Sequence, residues 1–330
     1  MRGRLTCAVA AVACVTGVPA HAQKRIVVPR PRPVVTPARV DSVAPAAKPR
    51  QRTPAPTDRH VSVSSYVLTR LDDNVNRDET QVTSVGMATG LTGRWESDAT
   101  RPGATLEYDV ALHRYSATDR YDRVSQRLRA TLSRRTRRWW TLDLVTEGSL
   151  RGSSEDRDVS DQFTLQPRSE FRLGDDTRLR LVGTQRWRRY PTDSLQDAAN
   201  RYAVLEVRRR LPAGVSLEAS GRVERNAARG ARFDYRRTTL AAVATAPLGR
   251  RLVAALELQH RQQVYPGRPV DVGSRVVARR DRRWQPAATL EARLAGLELT
   301  LGAEPEWRRS NDPDKAFDEH VLVFGMRRRW

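Results

Sequence analysis

The chain has 330 residues, of which 59 are Lys or Arg and 38 are Asp or Glu, giving a formal net charge of +21. Its only cysteines, Cys7 and Cys14, sit close to the start, so the remainder can form no disulfide, thiolate metal site or cysteine nucleophile. Beyond that first segment no apolar run approaches the ~20 residues of a membrane-crossing helix, which excludes helical spans.

The opening residues carry the parts of an export signal. Arg2 and Arg4 supply the positive start, Leu5 to Val18 a short apolar run, and Ala20-His21-Ala22 a small-x-small cleavage site before Gln23. Segment 1–22 is therefore expected to be a cleaved signal peptide. Its removal takes two basic residues and no acidic one, leaving 57 − 38 = +19. Nearly all of that is arginine, since lysine occurs only at 24, 48 and 315. So basic a chain raises the question of a nucleic-acid partner. The arginines alternate with acids instead of forming one block, and an exported chain is kept apart from nucleic acid, so no such partner is expected.

Residues 23–59 differ in kind. Eight prolines (29, 31, 33, 37, 45, 49, 54 and 56) and nine basic residues stand against Asp41 and Asp58 alone. Such a stretch buries no core and favours extended, polyproline-like backbone. It is expected to be a disordered basic periplasmic arm. A tether to an anionic surface is the sharper alternative.

From His60 to Trp330 a two-residue period recurs. Ala104, Leu106, Tyr108, Val110 and Leu112 alternate with Thr105, Glu107, Asp109, Ala111 and His113. Val124, Leu128, Ala130 and Leu132 share a face on which Gln126 is the exception. Val215 to Val223, Leu252 to Leu258 and Leu297 to Ala303 repeat the pattern. A helix would space its apolar residues by three and four, so 60–330 is expected to be all-β.

The gaps carry a second rhythm. Tight connections at Ser97–Gly103, Arg134–Arg138, Gly174–Thr177, Pro212–Gly214, Pro247–Arg250 and Ala295–Gly296 alternate with longer polar stretches. The long ones are Asp72–Thr80, Ser116–Arg123, Arg151–Ser160, Arg189–Arg201, Arg225–Asp234, Val264–Arg282 and Arg308–Asp318. Short turns on one rim and long loops on the other describe a closed antiparallel up-and-down transmembrane β-barrel of about fourteen strands. A soluble sandwich would mix its turn lengths and bury larger side chains.

In this frame Leu322, Phe324, Met326 and Trp330 face lipid, and Arg328 is the departure on that face. Trp95, Trp139, Trp140 and Trp284 are expected near the turn rim, and Trp187, Tyr190, Tyr265 and Trp307 near the loop rim, as two interfacial belts. Pro167, Pro286 and Pro305 interrupt strands, where a missing N–H costs a ladder bond, so bulges or rim positions are expected there.

The stretch YVLTRLDDNVNRDETQVTSVGMATGLTGRW, Tyr66 to Trp95, followed by ATLEYDVALHRYSATDRYD, Ala104 to Asp122, resembles the beta-barrel porin 2 group. The likeness lies in Asp72-Asp73-Asn74-Val75 after the first strand and in the aromatic-rich end of the third. It implies an exopolysaccharide-associated, porin-like outer-membrane barrel that handles a large polar solute, and it supplies no catalytic residue. It also implies the secretion and barrel-assembly machinery as partners, with the C-terminal pattern of Leu322, Phe324, Met326 and Trp330 as an assembly signal. Outer-membrane lipid and lipopolysaccharide would surround it. The residues themselves assign Asp72, Asp73 and Asn74 only a polar turn.

The face opposite lipid is charged. Candidate selectivity residues there are Arg127, Arg129, Arg168, Arg172, Arg180, Arg186, Arg208 and Arg222, with Glu107, Asp109, Glu218 and Glu257. Enclosed charges must be paired or wet, and an arginine excess biases a pore toward anions. A porin-like channel for polar or anionic solutes or glycans is one reading. A closed barrel acting through its loops or arm is the other. A hydrolytic enzyme is not expected, because His113 has only Ala111 and Tyr115 beside it on its face, and His260 only Leu258 and Gln262. No zinc spacing, phosphate-binding loop or dinucleotide fingerprint appears, so no cofactor is expected. The acidic stretch Ser153–Asp158 reads as a solvated loop.

Overall fold

The computed structural model describes residues 60–74, 83–97, 103–117, 122–152 and 160–330. The expected signal peptide, the basic arm and the acidic stretch at 153–158 lie outside those residues. The first half of the wall is β1 (His60–Asp72), β2 (Ser84–Glu96), β3 (Gly103–Tyr115), β4 (Arg123–Arg137), β5 (Trp140–Gly152), β6 (Asp161–Arg172) and β7 (Thr177–Arg189). The second is β8 (Ala198–Arg210), β9 (Ser216–Ala228), β10 (Tyr235–Pro247), β11 (Leu252–Val272), β12 (Arg275–Leu294), β13 (Leu297–Ser310) and β14 (Phe317–Arg329). Each pairs antiparallel with its chain neighbours, and β1 pairs with β14 to close the ring. The fold is a closed, fourteen-stranded, up-and-down barrel.

The two-residue period decides which way each side chain points. Leu106, Leu128, Leu132, Leu205, Leu240, Leu256, Leu301 and Phe324 lie outward and exposed, forming an apolar belt around the wall. In water a patch of that extent is a liability; against acyl chains it is the surface such a barrel requires. Gln126 does not stay bare on that belt, because Tyr108 Oη donates to its Oε1 at 3.0 Å. The inner face holds the buried polar side chains, most of them towards the loop rim: Asn200, Glu224, Arg279, Glu306 and Glu319 among them.

The connections keep the expected short–long rhythm with two shifts. The β4–β5 turn is tighter than expected, since β4 runs to Arg137 through an irregularity at Arg135 and pairs there with Trp140. The stretch Val264–Arg282 is not a loop. β11 and β12 continue outward as a hairpin to Val272 and Arg275, past an irregularity between Tyr265 and Pro269. Its polar composition hid it, because a hairpin beyond the membrane needs no apolar face. At the opposite rim, Ala295 (φ 47) and Gly296 (φ 84) give the two left-handed residues of a tight hairpin turn.

The prolines are neither bulges nor rim residues, which corrects the expectation above. Pro286 and Pro305 sit mid-strand, and the register places them opposite each other in an unpaired gap of the β12–β13 ladder between Trp284↔Trp307 and Ala288↔Ala303. Two residues without an N–H thus share one gap. Gln285 and Glu306 bridge it on the inner face, Nε2 to Oε2 at 2.7 Å. Pro167 likewise falls in the gap between Leu165↔Gln185 and Arg168↔Val182, over Gly183. The belts also need correction. Trp284 pairs with Trp307 and so stands on the loop-rim side, while Tyr265 packs edge-on against inward-facing Tyr235.

The protruding hairpin leans back onto the β9–β10 connection. Arg268 Nε donates to the Arg232 carbonyl at 2.7 Å, and its guanidinium lies 5.4 Å from the Phe233 ring and 5.2 Å from Tyr265. Gly267 permits the approach, since a Cβ there would lie 2.2 Å from the Ala231 carbonyl oxygen. Backbone cannot yield as a side-chain end can. Gly267→Val is therefore expected to undock the hairpin and raise its trypsin cleavage rate about tenfold, in line with the ~1–3 kcal/mol cost of overpacking. Unchanged cleavage after Arg275 would contradict this contact.

Candidate channel interior

Near the loop rim, β7 to β10 are knitted by a polar lattice centred on Glu224. Its carboxylate accepts from Asn200 Nδ2 at 2.6 Å and Tyr235 Oη at 2.8 Å, pairs with Arg237 at 3.5 Å, and also meets Arg222. Arg188 Nη2 reaches Asn226 Oδ1 at 3.0 Å and Tyr235 Oη at 2.9 Å, and Asn226 Nδ2 donates to the Phe233 carbonyl at 3.0 Å. A second lattice joins β12 and β13. Asp281 takes a two-pronged bond from Arg279 (3.0 and 2.8 Å), a bond from Ser310 Oγ at 2.7 Å, and a contact from Arg308. Arg283 Nε meets Glu306 at 2.9 Å. Each carboxylate is enclosed and faces at least one arginine, the pairing a buried charge requires.

Below these lattices the inner side chains are more exposed. All the candidate selectivity residues share the inner face, as their register shows. Arg180 bridges Glu170 at 2.9 Å and Glu206 at 2.7 Å, and Arg127 lies 3.8 Å from Glu107. Asp109 accepts from Thr92 Oγ1 at 2.7 Å and stands opposite Arg127. Arg129 lies between Glu107 and Glu147, and Arg172 opposite Arg178. Glu218 is opposite Arg208, and Glu257 opposite Val243.

Three candidates donate to neutral groups: Arg168 Nε to Gln166 Oε1 at 3.0 Å, Arg186 Nη2 to Tyr202 Oη at 3.1 Å, and Arg208 Nε to Ser216 Oγ at 3.1 Å. Arg222 caps the Tyr202 ring at 3.7 Å. Tyr202, Asn200 and Tyr235 did not stand out in the sequence. Extending the two-residue period to uncharged residues would have found them.

The Asp72-Asp73-Asn74 stretch does more than turn the chain. Asp72 Oδ1 accepts from the Asn74 N–H at 3.0 Å, and Asn74 Nδ2 crosses to the Asp318 carbonyl at 3.1 Å. Asp73 grips His320 through its backbone N–H (2.6 Å) and its Nδ1 (2.9 Å). The motif clasps the β1–β14 seam at the loop rim. At the other end of that seam, the Trp330 N–H donates to the Val63 carbonyl at 2.9 Å. Leu322, Phe324, Met326 and Trp330 all lie outward and exposed. Arg328, the departure on that face, stacks its guanidinium 3.9 Å over the Trp330 ring, which lets a cation lie at an interface. His113 does find a serine, contrary to the same-strand reasoning: Ser125 Oγ on the neighbouring strand lies 3.2 Å from its Nε2.

No protein-family profile matches the sequence, and no curated protein matches it by sequence. The barrel is similar to solved structures. An anion-selective porin from Comamonas acidovorans aligns at a TM-score of 0.52 and 8% identity, over 83% of this chain and 100% of that one. A loop-deletion form of OmpT, an outer membrane protein of Vibrio cholerae, aligns at a TM-score of 0.50 and 9% identity, over 82% of this chain and 99% of that one. At these identities the likeness is one of fold, and the fold is that of the outer-membrane porin barrels.

Proposed function

We propose that the chain is a porin-like outer-membrane channel that passes polar or anionic solutes or glycans through an arginine-biased lumen. The observation that carries this reading is the contrast along the inner wall. Near the loop rim, Glu224 and Glu306 are 0% and 1% exposed, whereas Arg127 and Arg180 further in keep 35% and 33%. Side chains packed into a dry plug would not keep a third of their surface. Water in that half is what lets an unequal number of arginines and carboxylates persist. The same reading fits a lumen wider than eight strands enclose. The resemblance to the Comamonas porin, which is described as anion-selective, supports the sign of the bias.

The loop-rim lattices favour a second reading, in which the barrel is closed there and works by docking through its loops or arm. Planar-bilayer recording separates the two. The channel reading expects discrete current steps with anion selectivity, and a tight seal without steps supports the closed barrel. In either reading the outward Leu322, Phe324, Met326 and Trp330 serve as the signal for the barrel-assembly machinery, and the export route begins with cleavage of segment 1–22. The His113–Ser125 contact is assigned to the polar wall and given no catalytic role.

A further inference from the structure

The charges on the outer face are distributed very differently from those on the inner face. On β8, β9, β10, β11 up to Val264 and β12 from Arg280 onward, none of the described outward-facing residues is acidic. Arginines nonetheless gather there at the loop rim. Arg201 stands opposite Arg225, and Arg225 opposite Arg236, so three guanidinium groups form one row across three adjacent strands. The row passes through Val264 to Arg280. Like charges placed directly opposite on a sheet repel, and here the wall supplies no carboxylate to separate them.

Just beyond the row, a cleft of about 630 Å³ opens at the rim, lined by Trp187, Arg189, Ala199, Ala227 and Arg229 among others, with Asp197 its one acidic lining residue, held 3.6 Å from Arg229. Just below the row, Leu205, Val223 and Leu240 begin the exposed apolar belt. Cleft, cation and apolar surface thus follow one another along the barrel axis, as the polar and apolar parts of an anionic amphiphile require.

We propose that this face binds the phosphorylated headgroup of an outer-leaflet glycolipid. Its phosphates lie on the Arg201–Arg225–Arg236 row, its sugar lies in the cleft beside Trp187 and Arg189, and its acyl chains lie along Val223 and Leu240. Guanidinium groups suit this role, because each can grip a phosphate through two parallel N–H bonds. A membrane lipid is favoured over free phosphate because the row sits at the edge of the apolar belt, where only a molecule with both parts gains from both surfaces. The proposal rests on the outer-membrane part of the proposed function and not on conduction. A barrel that passes no current would leave it intact.

The test uses the full barrel in detergent, with bisphosphorylated lipid A, the same lipid A stripped of its phosphates, and inorganic phosphate as separate probes, read by native mass spectrometry. Arg201→Gln/Arg225→Gln/Arg236→Gln is expected to weaken lipid A binding about a hundredfold, taking each arginine at an anionic surface as roughly a fivefold contribution. Arg127→Gln/Arg129→Gln/Arg168→Gln removes equal charge from the inner face and is expected to leave binding within about twofold. Lipid without phosphates is expected to bind weakly, and inorganic phosphate at the same concentration not to compete. Equal loss in both triple variants, no loss in the outward one, or full competition by inorganic phosphate overturns the proposal. Heat-dependent gel mobility reports that each variant is folded. If the outward triple fails to fold, Arg225→Gln alone, flanked by both other arginines, is expected to weaken binding about fivefold.

Discussion

Replacing Arg168, Arg186 and Arg208 together by glutamine is expected to reduce the anion-over-cation permeability ratio about tenfold, the lower end of what a focused charged cleft supplies. The choice of these three follows from their partners. Arg127, Arg180 and Arg222 face carboxylates at Glu107, Glu170 and Glu206, and Glu224, so most of their field is cancelled locally. Arg168, Arg186 and Arg208 donate to an amide, a phenol and a hydroxyl and hold no carboxylate within 4 Å among the described ion pairs, so their charge is less fully cancelled even with Asp143 and Glu218 opposite Arg168 and Arg208. Removing an acid should act in reverse, so Glu206→Gln is expected to raise the ratio by taking away one of the two carboxylates that offset Arg180. Both effects should shrink as salt rises, because the screening length falls from about 10 Å at 0.1 M to about 3 Å at 1 M. The reversal potential under a potassium chloride gradient reads all of this. Identical potentials for the parent and the triple variant would remove the arginine bias from the account.

How much of this was legible in the sequence depends on which force selected each residue. Lipid acts on every second residue whatever its strand neighbour is, so Leu106, Leu128 and Leu301 announced their face and the strand count could be read off the gaps. Pairing inside the barrel depends on register. That Arg180 would lie between Glu170 and Glu206, or that Asp73 would reach His320 across the seam, needs the offset between distant strands, which no single stretch encodes.

Trp284 follows Arg282, the end of the expected loop, by only two residues, so its place in the sequence itself points to the loop rim where the structure puts it. Pro286 and Pro305 each look like a broken strand alone, and become compatible only when set opposite one another. The Ser125 partner of His113 is invisible along a single strand, because contacts on a sheet run across it.

Glu224→Ala is expected to lower the unfolding free energy of the barrel by about 3–5 kcal/mol, the range for removing one partner from a buried charge cluster. The carboxylate is the only acidic member of its lattice named among the described contacts, and its side chain has no exposed surface. Without it, Arg222 and Arg237 lose their counter-charge, and Asn200 Nδ2 and Tyr235 Oη lose a 2.6 Å and a 2.8 Å acceptor. Glu224→Gln separates these two losses. It retains a carbonyl oxygen for one donor but no charge for the arginines, so its cost should fall between zero and that of alanine. The urea midpoint in lipid vesicles, followed by tryptophan fluorescence, gives both numbers.

The lattice also spans β7 to β10 at the loop rim, where the inner side chains are most buried, so the same substitution should loosen this part of the wall. If the channel reading holds, conductance should rise in Glu224→Ala while Glu224→Gln, which keeps the volume, stays near the parent. A barrel whose midpoint and conductance are both indifferent to Glu224→Ala would show that this lattice neither holds the wall together nor limits the passage.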